Sequence, residues 1–199
     1  IRAYFWKKQM TKYDSKATKL WFTSDLHFYH KRILELQPHT RRGADVFEMN
    51  AEIITVWNNT VGPDDHVFIL GDVSFGKETA TIDVIDRLNG KLHLIQGNHD
   101  SVITKSAPLM DMFEEVVDYK EIQVDGTLVC MMHYPIVDWK NSHRGSVHLH
   151  GHTHGHYQGS GKIFDVGVDN RPDRSMGLWS WYTVDKIMES RPVLVHPPG

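Results

Sequence analysis

Five short apolar runs in this chain each end abruptly in carboxylate, amide or imidazole side chains, and no other feature constrains the fold as much. Leu20–Ser24 leads into Asp25-Leu26-His27, Val67–Leu70 into Gly71-Asp72, and Leu92–Ile95 into Gln96-Gly97-Asn98-His99-Asp100. Leu128–Met132 leads into His133-Tyr134-Pro135, and Val147–His150 into Gly151-His152-Thr153-His154. Compact apolar runs bounded by turn residues read as buried strands. Between the early runs, Phe47–Val61 and Thr79–Leu88 carry apolar residues near helical spacing, among them Ile53, Ile54, Trp57, Ile82, Ile85 and Leu88. The second half is strand-rich: Val116–Val124 and Leu128–Met132 flank the turn Asp125-Gly126 and read as a hairpin. Ile163–Val168, Trp181–Val184 and Pro192–His196 follow as further strands. Alternation early and strands late predict a layered α/β domain with helices covering sheets.

Composition narrows the class. With 199 residues, 40% hydrophobic and 24% charged, the chain is one ordinary globular domain with a real core. Disorder, collagen and coiled coil are excluded, and no apolar run approaches the ~20 residues that span a bilayer. The opening Ile1-Arg2-Ala3-Tyr4 has no apolar leader pattern. Cys130 stands alone inside an apolar run, so a disulfide scaffold is excluded and a cytoplasmic location is expected. Residues 1–19 read as a basic N-terminal extension and 20–199 as the domain. Residues 1–20 hold six basic side chains against Asp14, a local charge of +5 that leaves −8 on the rest of a chain of net charge −3. That opening, with Tyr4, Phe5 and Trp6, suits an anionic surface or a solvated extension packed by its aromatics.

The polar run-ends point to metal chemistry. The chain holds 14 histidines, and six of them crowd between His143 and His156. Imidazole is the commonest protein metal ligand. In Asp25-x-His27 and His152-x-His154 an extended backbone would turn both side chains to one side. Gly71, Gly97 and Gly151 precede ligand candidates, where a missing Cβ permits a tight turn or close approach. Carboxylate, imidazole and amide ligands without thiolate suit open Mn²⁺, Fe, Zn²⁺, Co²⁺ or Ni²⁺ sites rather than a closed structural zinc site. Each fragment alone has a bland reading as a loop cap, turn or surface patch. Five together, each at a strand end where α/β sheets build their sites, do not.

The ordered set D-x-H (25–27), G-D (71–72), G-N-H-D (97–100), H (133) and G-H-x-H (151–154) resembles the calcineurin-like metallophosphoesterases from about residue 20 to 184. The stretches 50–76, 88–100, 143–156 and 166–170 are similar to a compact subgroup of bacteria and phages, in which Tyr29 stands where a glycine is expected. The resemblance implies a four-layer α/β/β/α sandwich of two mixed sheets flanked by helices, with a dinuclear metal site at the strand-end loops. It implies Asp25, His27 and His154 on one ion, Asn98, His133 and His152 on the other, and Asp72 bridging. His99 would face the substrate phosphate as proton donor to the leaving group, with Asp100 orienting its ring.

The activity implied is that of a hydrolase: metal-bridged hydroxide attack on phosphorus in a small phosphoester, a phosphodiesterase ahead of a phosphatase. Two divalent ions are expected, Mn²⁺ ahead of Fe, Zn²⁺, Ni²⁺ or Co²⁺. His30 is a candidate either to meet phosphate or to cap the following helix. Arg144 is a candidate to grip phosphate oxygens, with a solvated arginine as the competing reading. His148 and His150 are expected as core or supporting groups, and Trp179 and Trp181 as packing. Other readings on the same fold are a nuclease, disfavoured by the acidic remainder of the chain, and a non-catalytic interaction scaffold, disfavoured by the complete ligand set. No membrane partner is expected, and nothing in the sequence sets an oligomeric state.

Overall fold

The computed structural model describes residues 10–194. In chain order the strands are β1 (Thr11–Tyr13), β2 (Leu20–Thr23), β3 (His66–Ile69), β4 (Lys91–Ile95), β5 (Glu115–Val117), β6 (Tyr119–Val124), β7 (Thr127–Met132), β8 (Val147–His150), β9 (Ile163–Asp165) and β10 (Trp179–Ser180). The helices are α1 (Ile33–Leu36), α2 (Val46–Asn58), α3 (Glu78–Asp86), α4 (Ser101–Thr104), α5 (Ala107–Met110) and α6 (Trp181–Glu189). Two five-stranded mixed sheets result, ordered β10-β2-β3-β4-β5 and β1-β6-β7-β8-β9. Strands β2 to β5 run parallel, as do β7, β8 and β9. Their carboxyl ends, which carry the polar loops, therefore gather at one edge of each sheet. A bridge from Ser24 to Gly167 joins the two edges.

Alternation along the strands explains the layering. Phe22, Phe68, Leu70 and Ile95 face the other sheet and pack on Ile122, Val129, Met131, Leu149 and Phe164. Val67, Ile69 and Leu94 point the opposite way, beneath Met49, Ile53 and Trp57 of α2 and Val84 and Ile85 of α3. Burying each such side chain contributes roughly 1.5–3 kcal/mol. Helix α2 starts where Asp45 accepts hydrogen bonds from the Phe47 and Glu48 amides, a cap worth about 1 kcal/mol. The outer layers are unequal: sheet β1-β6-β7-β8-β9 is covered near Cys130 and Ile163 by Trp139, on a segment whose regular structure is a 3-10 turn at Ser142–Arg144.

Most expected elements are present, and the differences have local causes. Val116–Val124 is not one strand. The chain crosses between sheets at Asp118, so Val116 pairs with β4 while Ile122 pairs with β7. Trp181–Val184 is the first turn of α6: Ser180 caps it by accepting from the Thr183 amide, and Trp181, Val184 and Met188 form its buried face, a spacing that a four-residue window hides. Ile163–Val168 ends as a strand at Asp165, and Val168 opens a second 3-10 turn, Val168–Asn170. Pro192–Leu194 form no strand, and the rest of that expected strand lies outside the described residues, as do Tyr4, Phe5 and Trp6. The Asp125-Gly126 hairpin turn is present with both φ values positive, 49° and 88°, the form that matches strand twist. Within the stretch read as a basic extension, β1 pairs with β6.

Candidate metal centre

The candidate ligands converge from five loops that hydrogen-bond to one another. The Asp25 amide donates to Gly71 O and the His27 amide to Asp72 O, each at 3.0 Å, while Gly151 donates to His133 O at 2.9 Å. A Cβ on Gly71 would lie 2.6 Å from the Gly97 backbone and from His133 Nδ1, and one on Gly151 only 1.8 Å from Ser24 Oγ. Both glycines are thus there for close approach, as the sequence suggests.

The backbone of the ligands themselves differs from the extended form expected of the D-x-H and H-x-H pairs. Asp25, His27, Asp72, His152 and His154 have φ values of 57°, 53°, 56°, 68° and 48°, in the left-handed region that costs a non-glycine residue about 1–3 kcal/mol. Tight turns, not strand alternation, point these side chains inward. Tyr29 shares the conformation at φ 63°, which accounts for a glycine being expected there; its ring packs at the rim against Phe47.

Two donor groups form. Asp25, His27 and His154 make one, and Asp25, Asp72 and His133 the other, each with its ligand atoms within 4.8 Å of one another. The two oxygens of Asp72 face opposite ways: Oδ2 lies 3.7 Å from His27 Nε2, and Oδ1 lies 3.7 Å from His133 Nε2. These separations exceed hydrogen-bond reach, and His27 Nε2 is buried with no partner. Its Nδ1 is 3.0 Å from His30 Nδ1; with the hydrogen on His27 Nδ1 donated to His30, the Nε2 lone pair faces the carboxylates. His133 Nδ1 lies 2.7 Å from Leu70 O, and its Nε2 faces Asn98 Oδ1 at 3.0 Å. An orphaned imidazole nitrogen and lone pairs aimed at one another are what a cation satisfies. The residues therefore fit divalent ions.

Electrostatics separates the groups. Burial works to raise the Asp25 carboxyl, but His27, His154 and His133 overcome it and hold it below the ordinary range. Burial draws His27 down. It also opposes the charged form of His154, but the Asp169 hydrogen bond and the charges of Asp25 and Asp169 outweigh it and raise that ring. Asn98, His99 and His152 are exposed, whereas Asp25, His27, Asp72 and His133 are buried.

His99 stands at the mouth, with its amide donating to Asp72 Oδ1 at 2.9 Å. Asp100 does not orient the His99 ring. Its buried carboxylate accepts the amides of Asp72, Val73 and Gly97 at 2.7–2.9 Å, which ties the Asp72 loop to the Asn98 loop. His30 sits beside His27 and stacks on Phe75 with centroids 4.1 Å apart; burial above all, with smaller contributions from neighbouring rings and arginines, lowers it to about 4. It does not cap with its side chain, since α1 has no side-chain cap. Arg144 is elsewhere: it lines a hollow with Gln123, Gly126 and Thr127 at the hairpin end of β7, roughly 20 Å of strand from His133. The segment after His133 doubles back along the sheet, pinned where the Ile136 amide donates to His148 Nε2. His148 and His150 are buried supports, and Trp179 and Trp181 pack between the sheets.

Sequence reasoning missed Arg41, Asp169 and Phe75. Asp169 accepts from Arg41 Nε at 2.8 Å and Nη2 at 2.7 Å, and its Oδ2 lies 2.7 Å from His154 Nδ1. Phe75 packs against His30, His27 and His99. The signal available was the likeness of 166–170 to the compact subgroup; for Arg41 there was none.

The fold is thus a two-sheet sandwich with Asp, His and Asn side chains converging at its strand ends. Residues 19–164 match the calcineurin-like phosphoesterase superfamily domain, and the chain belongs to that superfamily, whose members use divalent metals. It is 30% identical to the gene 66 protein of Mycobacterium phage D29 over 199 aligned residues, covering 87% of this chain and 94% of that protein. It is also 30% identical to an uncharacterized protein of Methanocaldococcus jannaschii, covering 70% of this chain and 71% of the other. A solved structure of a protein of unknown function from Aquifex aeolicus shares the fold, with a TM-score of 0.65 at 23% identity over 85% of this chain and 99% of that one.

Proposed function

We propose that this chain is a dinuclear metal-dependent phosphohydrolase, with Asp25, His27 and His154 on one ion, Asn98, His133 and His152 on the other, and Asp72 between them. The observation that carries this reading is the split of the Asp72 carboxylate, one oxygen toward His27 and the other toward His133, each at 3.7 Å. Mn²⁺ is the ion proposed first, and Fe, Zn²⁺, Ni²⁺ or Co²⁺ suit the same set of oxygen and imidazole donors. When bound, such ions supply Lewis acidity at phosphoryl oxygens and an acidified water.

The remaining work falls to the chain. Asp72 holds the two donor groups in register, and Asp100 fixes the loops that carry Asp72 and Asn98. His99, exposed and anchored through its amide, holds a proton for the departing alkoxide. Two open hollows meet at His99 and Phe75: one of about 460 Å³ lined by His30, Arg32 and Leu36, the other of about 250 Å³ lined by Ser74, Asn98 and Ser101. Space on both sides of His99 suits a phosphorus with a substituent on each side, which favours a small phosphodiester over a monoester.

Metal-stripped protein reloaded with Mn²⁺ tests the reading, with bis(p-nitrophenyl) phosphate compared against p-nitrophenyl phosphate and Asp72→Ala as blank. Faster diester turnover, absent from the blank, is expected. A dominant monoester rate would move the substrate class to phosphatases, and no turnover with no bound ion would leave a scaffold. His99→Ala should keep both ions and lose on the order of 10²–10⁴ in rate on a poor leaving group; full turnover would remove His99 from that role.

A further inference from the structure

Arg41 and Asp169 are charged, wholly buried at their side chains, and unused by the chemistry above. A buried ion pair is weak evidence of stability, because desolvation offsets its attraction, so its position calls for another account. Arg41 spends its guanidinium on two kinds of partner. Nε and Nη2 grip Asp169 side-on, while Nη1 donates to Leu26 O at 2.9 Å and Nη2 also to Asp25 O. Those carbonyls belong to the two peptide units between Asp25 and His27, whose backbones are left-handed at φ 57° and 53°. Asp169 in turn takes the Thr40 hydroxyl and, at 2.7 Å, His154 Nδ1, which leaves His154 Nε2 turned toward Asp25 Oδ1 at 3.9 Å.

We propose that Arg41 and Asp169 are positioning residues for one ion of the pair, holding the Asp25–His27 turn and the His154 ring in ligating geometry from opposite sides. The proposal rests on the dinuclear reading. It explains why an arginine is needed: a lysine carries the charge but cannot bind a carboxylate side-on and reach two carbonyls at once. Asp169 also fixes the His154 tautomer, the usual task of a carboxylate behind a ligating imidazole. Among the described residues no buried ion pair braces Asn98 or His152 in this way; the effect of Arg41 and Asp169 should therefore be confined to one ion.

Calorimetric titration of the metal-stripped full chain with Mn²⁺ separates the ions. Asn98→Ala is expected to retain the ion of Asp25, His27 and His154, and His154→Ala the other. Adding Arg41→Lys or Asp169→Asn should weaken the ion retained by Asn98→Ala by about 10–100-fold. In the His154→Ala background the same changes should alter affinity by less than about threefold, and activity lost by the single variants at low Mn²⁺ should return at high Mn²⁺. Thr40→Val, which removes one neutral partner of Asp169, gives a smaller change in the same direction and serves if the charged variants do not fold. Equal weakening in both backgrounds with a matching fall in melting temperature would overturn the proposal in favour of a structural role. Unchanged affinity in both would overturn it outright. Wild-type protein that takes up no Mn²⁺ would overturn the dinuclear reading and this proposal with it, and the wild-type titration alone tells the cases apart.

Discussion

The two halves of the candidate centre are built to different standards. Asp25 and His27 are buried and His154 is half-buried, with His154 held through Asp169, His27 through His30, and the Asp25 carboxylate accepting the His152 amide at 3.0 Å. Asn98 and His152 are exposed. On that side only His133 is deeply held, by Leu70 O, while the His152 ring leans on His133 and Tyr134. The fold thus fixes the geometry of one half through buried hydrogen bonds and leaves the other half open to solvent. Pre-set geometry saves ordering entropy at the moment of binding.

The largest expected effect would erase the comparison. Asp72→Ala should abolish both ions and lower turnover by more than about 10³-fold, read by metal analysis and the diester assay; one retained ion would show that Asp72 does not bridge. Next, His27→Ala should cost more activity at fixed Mn²⁺ than His152→Ala, and excess Mn²⁺ should restore only the latter, since water can take the place of an exposed ligand more readily than that of a buried one. Equal losses with equal rescue would make the halves equivalent.

Asp100→Asn sharpens the boundary between them. It should lower stability by about 2–4 kcal/mol in urea unfolding, because a buried acceptor of three amides loses its charge and part of its capacity. It should also weaken the ion held by Asn98 more than the ion held by His154.

The smallest effect lies beyond the centre. Burial holds His148 at about 4, below the unfolded histidine value, so the unfolded chain binds its proton first as pH falls. Stability is therefore intact above about pH 6.5 and declines toward pH 4, by roughly 2 kcal/mol at pH 5. In His148→Gln the difference between urea unfolding at pH 7 and at pH 5 should shrink by that amount; an unchanged difference would assign the acid sensitivity to other groups.

What the sequence made legible follows contiguity. Asp25, Asp72, Asn98, His133 and His152 were visible because each sits one to three residues past an apolar run, and a strand end fixes where its loop begins. Asp100 was placed beside His99 by adjacency, yet its carboxylate turns away to three amides, a direction that sequence spacing does not encode. Arg41 and Asp169 meet across 128 positions, with Arg42 next in line to confuse any guess. Arg144, next to His143 and the histidine cluster, looked close to the phosphate because the fold-back of 134–146 has no periodic signature. Val116–Val124 misled for the same reason: β-favouring residues continue through Asp118 while the chain changes sheets.

Gly151 touches no substrate in any reading of the centre, yet it leaves no space for one further carbon beside Ser24. In a saturation scan scored by activity, its row should be as empty as those of the ligands, and alanine, ordinarily the mildest replacement, should be among the losses. Such a scan would rank a residue with no functional group among the most important in the chain, because what it contributes is room.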